Sequence, residues 1–493
     1  MRRLGCCDDL WALSSIVLLF LSACAVGPNF KHPVLPAEAG YTTAPLRPVT
    51  VAGKVSQGTT QTFLSGLDIP GDWWSLFGSK GLSDLVIEAM NNNPDVTAAQ
   101  ATLQQANQTA YATRGSLFPS ISAKDAVQKI RFSGAVIGQP YDTVFSLKTS
   151  ELSLSYTLDI FGGTRRQVES AVAQAENQRF QLEATYLTLS SNVVVAAIQD
   201  ASLRAQIAAT EEILNTKRNI LGTVERQLAL GGASGADVLA QESSLAQTSA
   251  ALPSLEHSLA VQRDLLAVLV GHFPNDPPPE TFDFESLQLP DELPVSLPSN
   301  LVEQRPDIRA SEALLHAATA QVGVATANML PQLSISASIG SISLGQLFDP
   351  GSAMSNLGAN LTQPLFQGGQ LWHQRRAAQE GLLAAAAQYR STVLTAFKNV
   401  ADVLAVLQTD GDVVAAQAAA EQASAADLRI VSVQYESGAT SFINLLNAQS
   451  TLAQTKVALI QAEASRYTDT AALYQALGGG WWNRADVSAP KGR

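Results

Sequence analysis

The sequence predicts a mixed α/β membrane protein made of two copies of one structural unit, in which long coiled-coil helices are joined to short amphipathic strands. Three observations lead there. The stretch Leu228–Leu252 falls without gaps on Tyr435–Leu459, setting Gly231 against Gly438 and Leu239 against Leu446, and repeating Leu-Ala-Gln-Thr from Leu245 and Leu452. A second register lays Pro94–Leu103 on Pro306–Leu315 and Leu117-Phe118-Pro119 on Met329-Leu330-Pro331. A duplication of this length fixes the architecture that local motifs must fit. The second observation is a helical seam of unusual length, and the third is a set of short runs alternating apolar and hydroxyl residues.

Composition suits long packed helices. The chain has 493 residues, of which 15% are charged and 6% aromatic, and a formal net charge of −12. An acidic chain without a Lys/Arg cluster is unsuited to nucleic acid.

Residues 1–23 read as a secretory signal peptide: Arg2 and Arg3, an apolar run from Leu10 to Leu21, then Ser22, Ala23 and Cys24. The run is short for a transmembrane helix. The sequence Leu-Ser-Ala-Cys resembles the lipobox of bacterial lipoproteins, in which the cysteine becomes the acylated first residue. That makes Cys24 the expected lipid attachment point; the plainer alternative is a signal peptide or uncleaved anchor with an incidental cysteine. The other cysteines are Cys6 and Cys7, so cleavage before Cys24 leaves no intrachain disulfide. By the same resemblance, Ala25 after the cysteine favours sorting to the outer membrane.

Residues 24–72 are rich in Pro, Thr, Gly and Val and read as a lipid-anchored extended tether. The first repeat is expected over 73–272. Asp72-Trp73-Trp74-Ser75-Leu76-Phe77-Gly78 precedes a short helix, and Pro94-Asp95 opens another that runs to about Leu117. From Arg165 to Leu228 a seam of four- and three-residue steps passes through Val168, Val172, Leu182, Leu189, Val193, Leu203, Leu214 and Leu221, interrupted by Arg179, Asp200, Thr210 and Lys217. Such spacing indicates a coiled-coil helix, roughly 90 Å long at the standard rise. Gly231 to Gly235 then reverse the chain into a return helix from Asp237 to about Val270. A Pro-rich linker, 273–300, leads to the second repeat, 301–482. There a helix is expected from about Leu371 to Tyr435, a turn at Ser437 to Thr440, a return helix to Leu477, and a tail at 483–493.

The strands are expected at about 120–160 and 332–366. Leu152, Leu154, Tyr156, Leu158 and Ile160 alternate with Ser153, Ser155, Thr157 and Asp159; Leu333, Ile335, Ala337 and Ile339 alternate with Ser334, Ser336 and Ser338; Leu357, Ala359 and Leu361 do the same. The run from Ser120 to Phe132 is less regular, crowded by Lys124, Asp125, Lys129 and Arg131. One greasy and one hydroxylated face suit a strand between lipid and water, and the same alternation suits a half-buried soluble sheet. Four short strands cannot close a barrel alone, so a spanning barrel requires several copies.

Asp-Trp-Trp-Ser-Leu-Phe-Gly from Asp72, Arg-Pro-Asp-Ile-Arg-Ala-Ser-Glu from Arg305, Pro-Leu-Phe-Gln-Gly-Gly from Pro364 and Leu-Tyr-Gln-Ala-Leu-Gly-Gly-Gly-Trp from Leu473 together resemble the outer-membrane lipoprotein channels of resistance-nodulation-division efflux systems. The resemblance runs in order from the lipobox to about Trp482. It implies a homotrimer in which four strands per protomer form a twelve-stranded outer-membrane β-barrel, continuous with a periplasmic α-helical coiled-coil barrel. It further implies a periplasmic adaptor, an inner-membrane pump, contact with outer-membrane lipid and no cofactor beyond the lipid on Cys24.

By that resemblance the two helix turns dock the adaptor, with Gly231, Gly232, Ser234, Gly235, Ser437, Gly438 and Thr440 as the candidate residues. As simple C-caps the same small residues would also be required. Related channels narrow their periplasmic aperture with Asp after the second turn, whereas this chain has Asn444 and Asn447. The aperture is therefore expected to be held by Ile443 and Leu446 with amide hydrogen bonds from Asn444 and Asn447, leaving Asp237 as the nearby carboxylate. Alternatively Asn444 and Asn447 face a neighbouring helix.

Nothing points to catalysis. His32, His257, His272, His316 and His373 lack metal-ligand spacing, and no phosphate loop or hydrolase motif is present. Trp481 and Trp482 fit a membrane-interface or packed C-terminal cap better than carbohydrate stacking. The reading is a passive exit duct for small molecules in the outer membrane, extending into the periplasm. A channel for type I protein secretion and a non-conducting coiled-coil scaffold lipoprotein are the competing readings.

Overall fold

The computed structural model describes residues 25–34, 40–42, 45–51, 59–133, 135, 138, 140–279, 281–349 and 351–484. The signal peptide, Cys24 and residues 485–493 lie outside them. Two compact units share the chain: residues 1–33, 102–179 and 310–390 make one, and residues 34–101, 180–309 and 391–493 the other. Each unit takes segments from both repeats.

Two short helices, α1 (Lys80–Asn92) and α2 (Pro94–Gly115), come first. Ser79 caps α1 by accepting from the Leu82 amide. Pro94 occupies the first position of α2, where its missing N–H costs nothing, and the Asn93 carboxamide accepts from the Asp95 amide at 2.8 Å. The corresponding helix of the second repeat, α6 (Pro306–Ala327), follows a short α5 (Pro298–Gln304). The long helices are α3 (Gly163–Ala229) and α7 (Gln370–Glu436), each of 67 residues. Their return partners are α4 (Gly235–Val270) and α8 (Phe442–Ala476). Gly162, at φ 78°, turns the chain into α3, and Asp159 caps that helix by accepting from the amides of Thr164 and Arg165, each at 2.9 Å.

The polar interruptions of the first seam are satisfied where they are buried. Asp200 accepts from Arg204 at 2.6 Å, Thr210 bonds back to the Gln206 carbonyl, and Lys217 donates to Ser244 Oγ at 2.7 Å. A buried charge is tolerable only with such partners; burial still lowers the Lys217 pKa.

The first unit contains a four-stranded antiparallel sheet, β2 (Ser120–Phe132), β3 (Thr143–Leu158), β5 (Gln332–Ser343) and β6 (Ala353–Thr362), in the order β2-β3-β5-β6. Two corrections concern β3. It begins nine residues before the alternating run that marks it in the sequence, and Ile160 lies beyond its end, where its amide turns back to the Leu158 carbonyl.

The second unit has an aromatic core. Trp73, Phe77, Tyr467 and Tyr474 are at most 1% exposed, and Trp73 stacks on Tyr474 with centroids 5.4 Å apart. Part of the segment expected as an extended tether is packed here. Strand β1 (Thr62–Ser65) pairs in parallel with β4 (Glu292–Val295) of the Pro-rich linker, and Gln61 is fully buried between the Pro290 carbonyl and Thr470. Neither segment carries a helical period, so only the pairing of distant residues gives them structure. Trp481 donates to the Gln304 carbonyl and packs edge-on against Phe180, a packed C-terminal cap.

Candidate functional site

The two helix turns meet in the second unit. Val224, Leu428, Tyr435, Phe442, Leu445 and Ala448 form one buried cluster, with Ile220, Val238, Leu446 and Leu452 packed against it. Tyr435 and Phe442 lie 5.6 Å apart across the second turn, and the buried amides of Gln241 and Gln449 bond to each other. The sequence places these turns two hundred residues apart; apolar burial joins them.

The loops themselves are largely open, although Ala233 of the first packs against this cluster. Gly231 and Gly438 adopt φ 78° and 73°, which end α3 and α7 in the left-handed conformation that glycine tolerates. A Cβ added at Gly231, Gly235 or Gly438 would meet no neighbour within 4 Å. Gly232 lies closer in, over the Gln227 carbonyl. The two loops are capped differently. Ser234 and Asp237 form a reciprocal capping box, in which the Asp237 carboxylate accepts from the Ser234 amide at 2.8 Å. Ser441 makes no side-chain cap bond; instead Asn444 donates to Thr440 Oγ1 at 2.9 Å. Ser437 bonds to the Gln434 carbonyl.

The phase of α8 sorts the candidate aperture residues. Phe442, Leu445, Ala448 and Gln449 face the cluster, while Ile443, Asn444 and Asn447 are exposed and Leu446 is half-buried against it. Leu446 therefore packs within its own chain, apart from Ile443, and Asp237 is engaged in its cap.

A second polar assembly was not legible in the sequence. Asp410 of α7 and Asp469 of α8 share a hydrogen bond, and the other Asp410 oxygen, Oδ2, is buried without a partner. Burial, then the charge of Asp469, push Asp410 up to about 7, against the pull of Arg466; burial also raises Asp469. Arg466, 1% exposed, donates to Gln61 Oε1, Thr50 Oγ1 and the Thr59 carbonyl. Glu463 is raised to about 7 by burial alone. Only one signal of this was present in the sequence: Asp410-Gly411-Asp412 in the middle of a long helix. A Cβ at Gly411 would strike the Val51 carbonyl at 2.7 Å, so glycine admits residues 50–51 against the helix.

In the first unit, two of the scattered histidines come together around Phe30. His316 stacks on its ring at 4.3 Å and bonds to Glu169, while His32 lies edge-on and bonds to Glu312 at 2.6 Å. Among the described residues no group of three or more His, Cys, Asp and Glu could hold a metal ion.

The sheet of the first unit has two distinct faces. Paired residues share a face, so one face carries Ile121, Leu154, Ala337 and Leu357 in one rung, and Leu158, Leu333 and Leu361 in another. The opposite face carries Ser122, Ser153, Ser338 and Asn356, then Ser120, Ser155, Ser336 and Gly358. Leu357 is 80% exposed, and β2 and β6 each pair on one side only among the described residues. No described helix is long and apolar enough to cross a membrane.

Comparison with known proteins identifies such an arrangement. The family model for outer membrane efflux proteins matches residues 85–272 and 297–479. The chain belongs to the outer membrane efflux protein family. Among its relatives are the pyoverdine export outer membrane protein OpmQ of Pseudomonas aeruginosa, 32% identical over 83% of this chain and 87% of that protein, and the cation efflux system protein CusC of Escherichia coli, 28% identical over 94% and 97%. The solved structure of the outer-membrane channel OprN superposes with a TM-score of 0.83 at 26% identity, covering 93% of this chain and all of that one. Membership makes this chain an outer-membrane efflux channel, in a family of transport proteins and not of enzymes.

Proposed function

We propose that the chain is the passive exit duct of a tripartite efflux system. Three copies would join β2 of one sheet to β6 of the next, giving a twelve-stranded barrel with its apolar face in lipid and its hydroxyl face toward a water-filled lumen. The long helices would continue as an α-helical barrel into the periplasm. The observation that carries this reading is the sheet with segregated faces and two unpaired edges, since an open edge cannot stay unsatisfied in hydrocarbon. Purified protein in planar bilayers tests it: steady ion conductance from a three-chain species is expected, and a scaffold without a pore would conduct nothing.

The turns at Gly231, Gly232, Ser234 and Gly235 and at Ser437, Gly438 and Thr440 would receive the hairpins of a periplasmic adaptor, which links the duct to an inner-membrane pump. Their support is the open space around Gly231, Gly235 and Gly438. Gly438→Trp should weaken adaptor crosslinking and leave trimer and insertion intact; equal crosslinking would remove the turn from the interface. The periplasmic aperture would be lined by Ile443, Asn444 and Asn447, with Leu446 and Asp237 supporting them from within the protomer. Cys24 would carry the lipid, so Cys24→Ser should abolish palmitate incorporation.

Cargo differs among relatives of similar distance: OpmQ is named for pyoverdine and CusC for cations. We infer that the pump, not this duct, selects what passes, and the pump that copurifies would identify the system.

A further inference from the structure

The two faces of the sheet exchange character partway along it. On the greasy face the four rungs through Leu158, Tyr156, Leu154 and Leu152 are apolar except for Ser355 at the β6 end of the last; the next is Asp125, Ser150, Ser341 and Ala353, followed by Val127, Lys148 and Ser343, then Lys129 with Ser146. The hydroxyl face does the reverse. Its last strongly polar rung holds Lys124 opposite Glu151, and beyond it come Ala126, Thr149 and Ile342, then Gln128 with Leu147, then Ile130 with Phe145. The four apolar rungs occupy about 20 Å of strand, most of the roughly 25 Å apolar band of an outer-membrane barrel. The rung of Asp125 therefore marks the outer limit of hydrocarbon, and the β2–β3 hairpin continues past it.

Gly340 stands opposite Glu151 at this change. A Cβ there would lie 2.1 Å from the Ser150 carbonyl oxygen and 2.7 Å from the Glu151 Cα. Glycine within a strand marks a bend or a close backbone approach, and here it coincides with the reversal of the faces. Above it, Ile130 and Leu147 are half-buried and Ile342 is 40% exposed on the side that would face the lumen.

We propose that this distal part of the hairpin forms an apolar seal at the outer mouth of the duct, made by Ile130, Phe145 and Leu147 meeting the same residues of the other copies, with Ile342 on the wall below them. The proposal rests on the barrel reading above. Within a closed barrel, the chains that can reach an inward apolar face are the other copies of the hairpin. Leaving that face against water would forfeit the free energy gained when apolar surface is buried. The outward face, with Lys129, Lys148, Ser146 and Ser150, suits water and headgroups.

Single cysteines at 147, 146, 153 and 154 test both levels separately. In intact outer membranes treated with a mild oxidant, Leu147→Cys should give interchain disulfides and Ser146→Cys none. Ser146→Cys should react with an impermeant maleimide on intact cells at least tenfold faster than Leu147→Cys. Ile130→Cys, on the same face of the hairpin, repeats the test should the first variant assemble poorly. Equal labelling at 146 and 147 without crosslinks would overturn the seal while leaving the barrel standing. If instead Leu154→Cys reacts with aqueous maleimide as fast as Ser153→Cys, the barrel reading fails and the seal fails with it.

Discussion

The two units of the chain treat apolar side chains in opposite ways. In the second, Trp73, Phe77, Tyr467 and Tyr474 are enclosed by their own protomer. In the sheet of the first, Ile121, Leu152, Ile339, Leu357 and Leu361 are between 50% and 80% exposed, side by side on one face. Patches of that kind mark contact with another protein or with lipid. The core unit thus buries its apolar side chains within one chain, whereas the sheet leaves an apolar face open that, in the proposed barrel, lipid would cover.

The sharpest way to break this contrast is in the core. Trp73→Ala should lower the stability of the second unit by about 3–5 kcal/mol, the range for a buried Trp or Phe removed, read as a lower denaturation midpoint of the detergent-solubilised protein. Leu152→Ala should barely move that midpoint. On the sheet, Leu154→Arg should cost about 2–4 kcal/mol if it faces the middle of the bilayer, seen as loss of an assembled species on mild gels. Ser153→Arg, one residue along on the hydroxyl face, should assemble normally. Equal losses at 153 and 154 would remove the distinction between the faces.

A third test concerns the buried carboxyl pair of the core unit. Asp410 has a folded pKa of about 7, above the ordinary Asp value of about 4, so the folded state holds its proton more tightly than the unfolded chain. Stability should therefore fall as pH rises from about 4 to about 7 and level off above that. Asp410→Asn keeps the shape and removes the titration, so its melting temperature should change less between pH 5 and pH 8 than that of the unaltered protein. An unchanged slope would show that the pair is not the titrating element. The smallest effect is expected at the caps. Ser234→Ala breaks a capping box and should cost about 1 kcal/mol, while Ser441→Ala, without a cap bond to lose, should be near neutral by hydrogen exchange in the first turn of each helix.

Much of the architecture was written in local periodicity. The seam from Arg165 to Leu228 corresponds to a helix of Gly163–Ala229, and the helix expected from Leu371 to Tyr435 spans Gln370–Glu436. Both end where glycine takes a left-handed conformation. The irregular run Ser120–Phe132 is a strand over those same residues. Its irregularity, and the nine residues missing from the start of β3, share one cause: a strand whose two faces exchange apolar and polar character at Asp125 and Ser150 breaks its own period of two. The turns were legible from Gly231 and Gly438, but not which of Ile443, Asn444, Leu446 and Asn447 faces outward, because helix phase depends on packing against Tyr435 and Leu428.

The sequence by itself determined the duplication, the long helices, the turns and the amphipathic strands, because each arises from residues a few positions apart whose spacing matches a helical or extended period. Tertiary structure alone decided that Thr62–Ser65 and Glu292–Val295 are paired strands and not tether and linker, that Arg466 lies buried against Gln61 and Thr50, and that Asp410 is hydrogen-bonded to Asp469. Those contacts join residues as much as four hundred positions apart. A charge so placed takes its pKa from whatever the fold sets beside it in a dry interior, and no local pattern of residues encodes that distance.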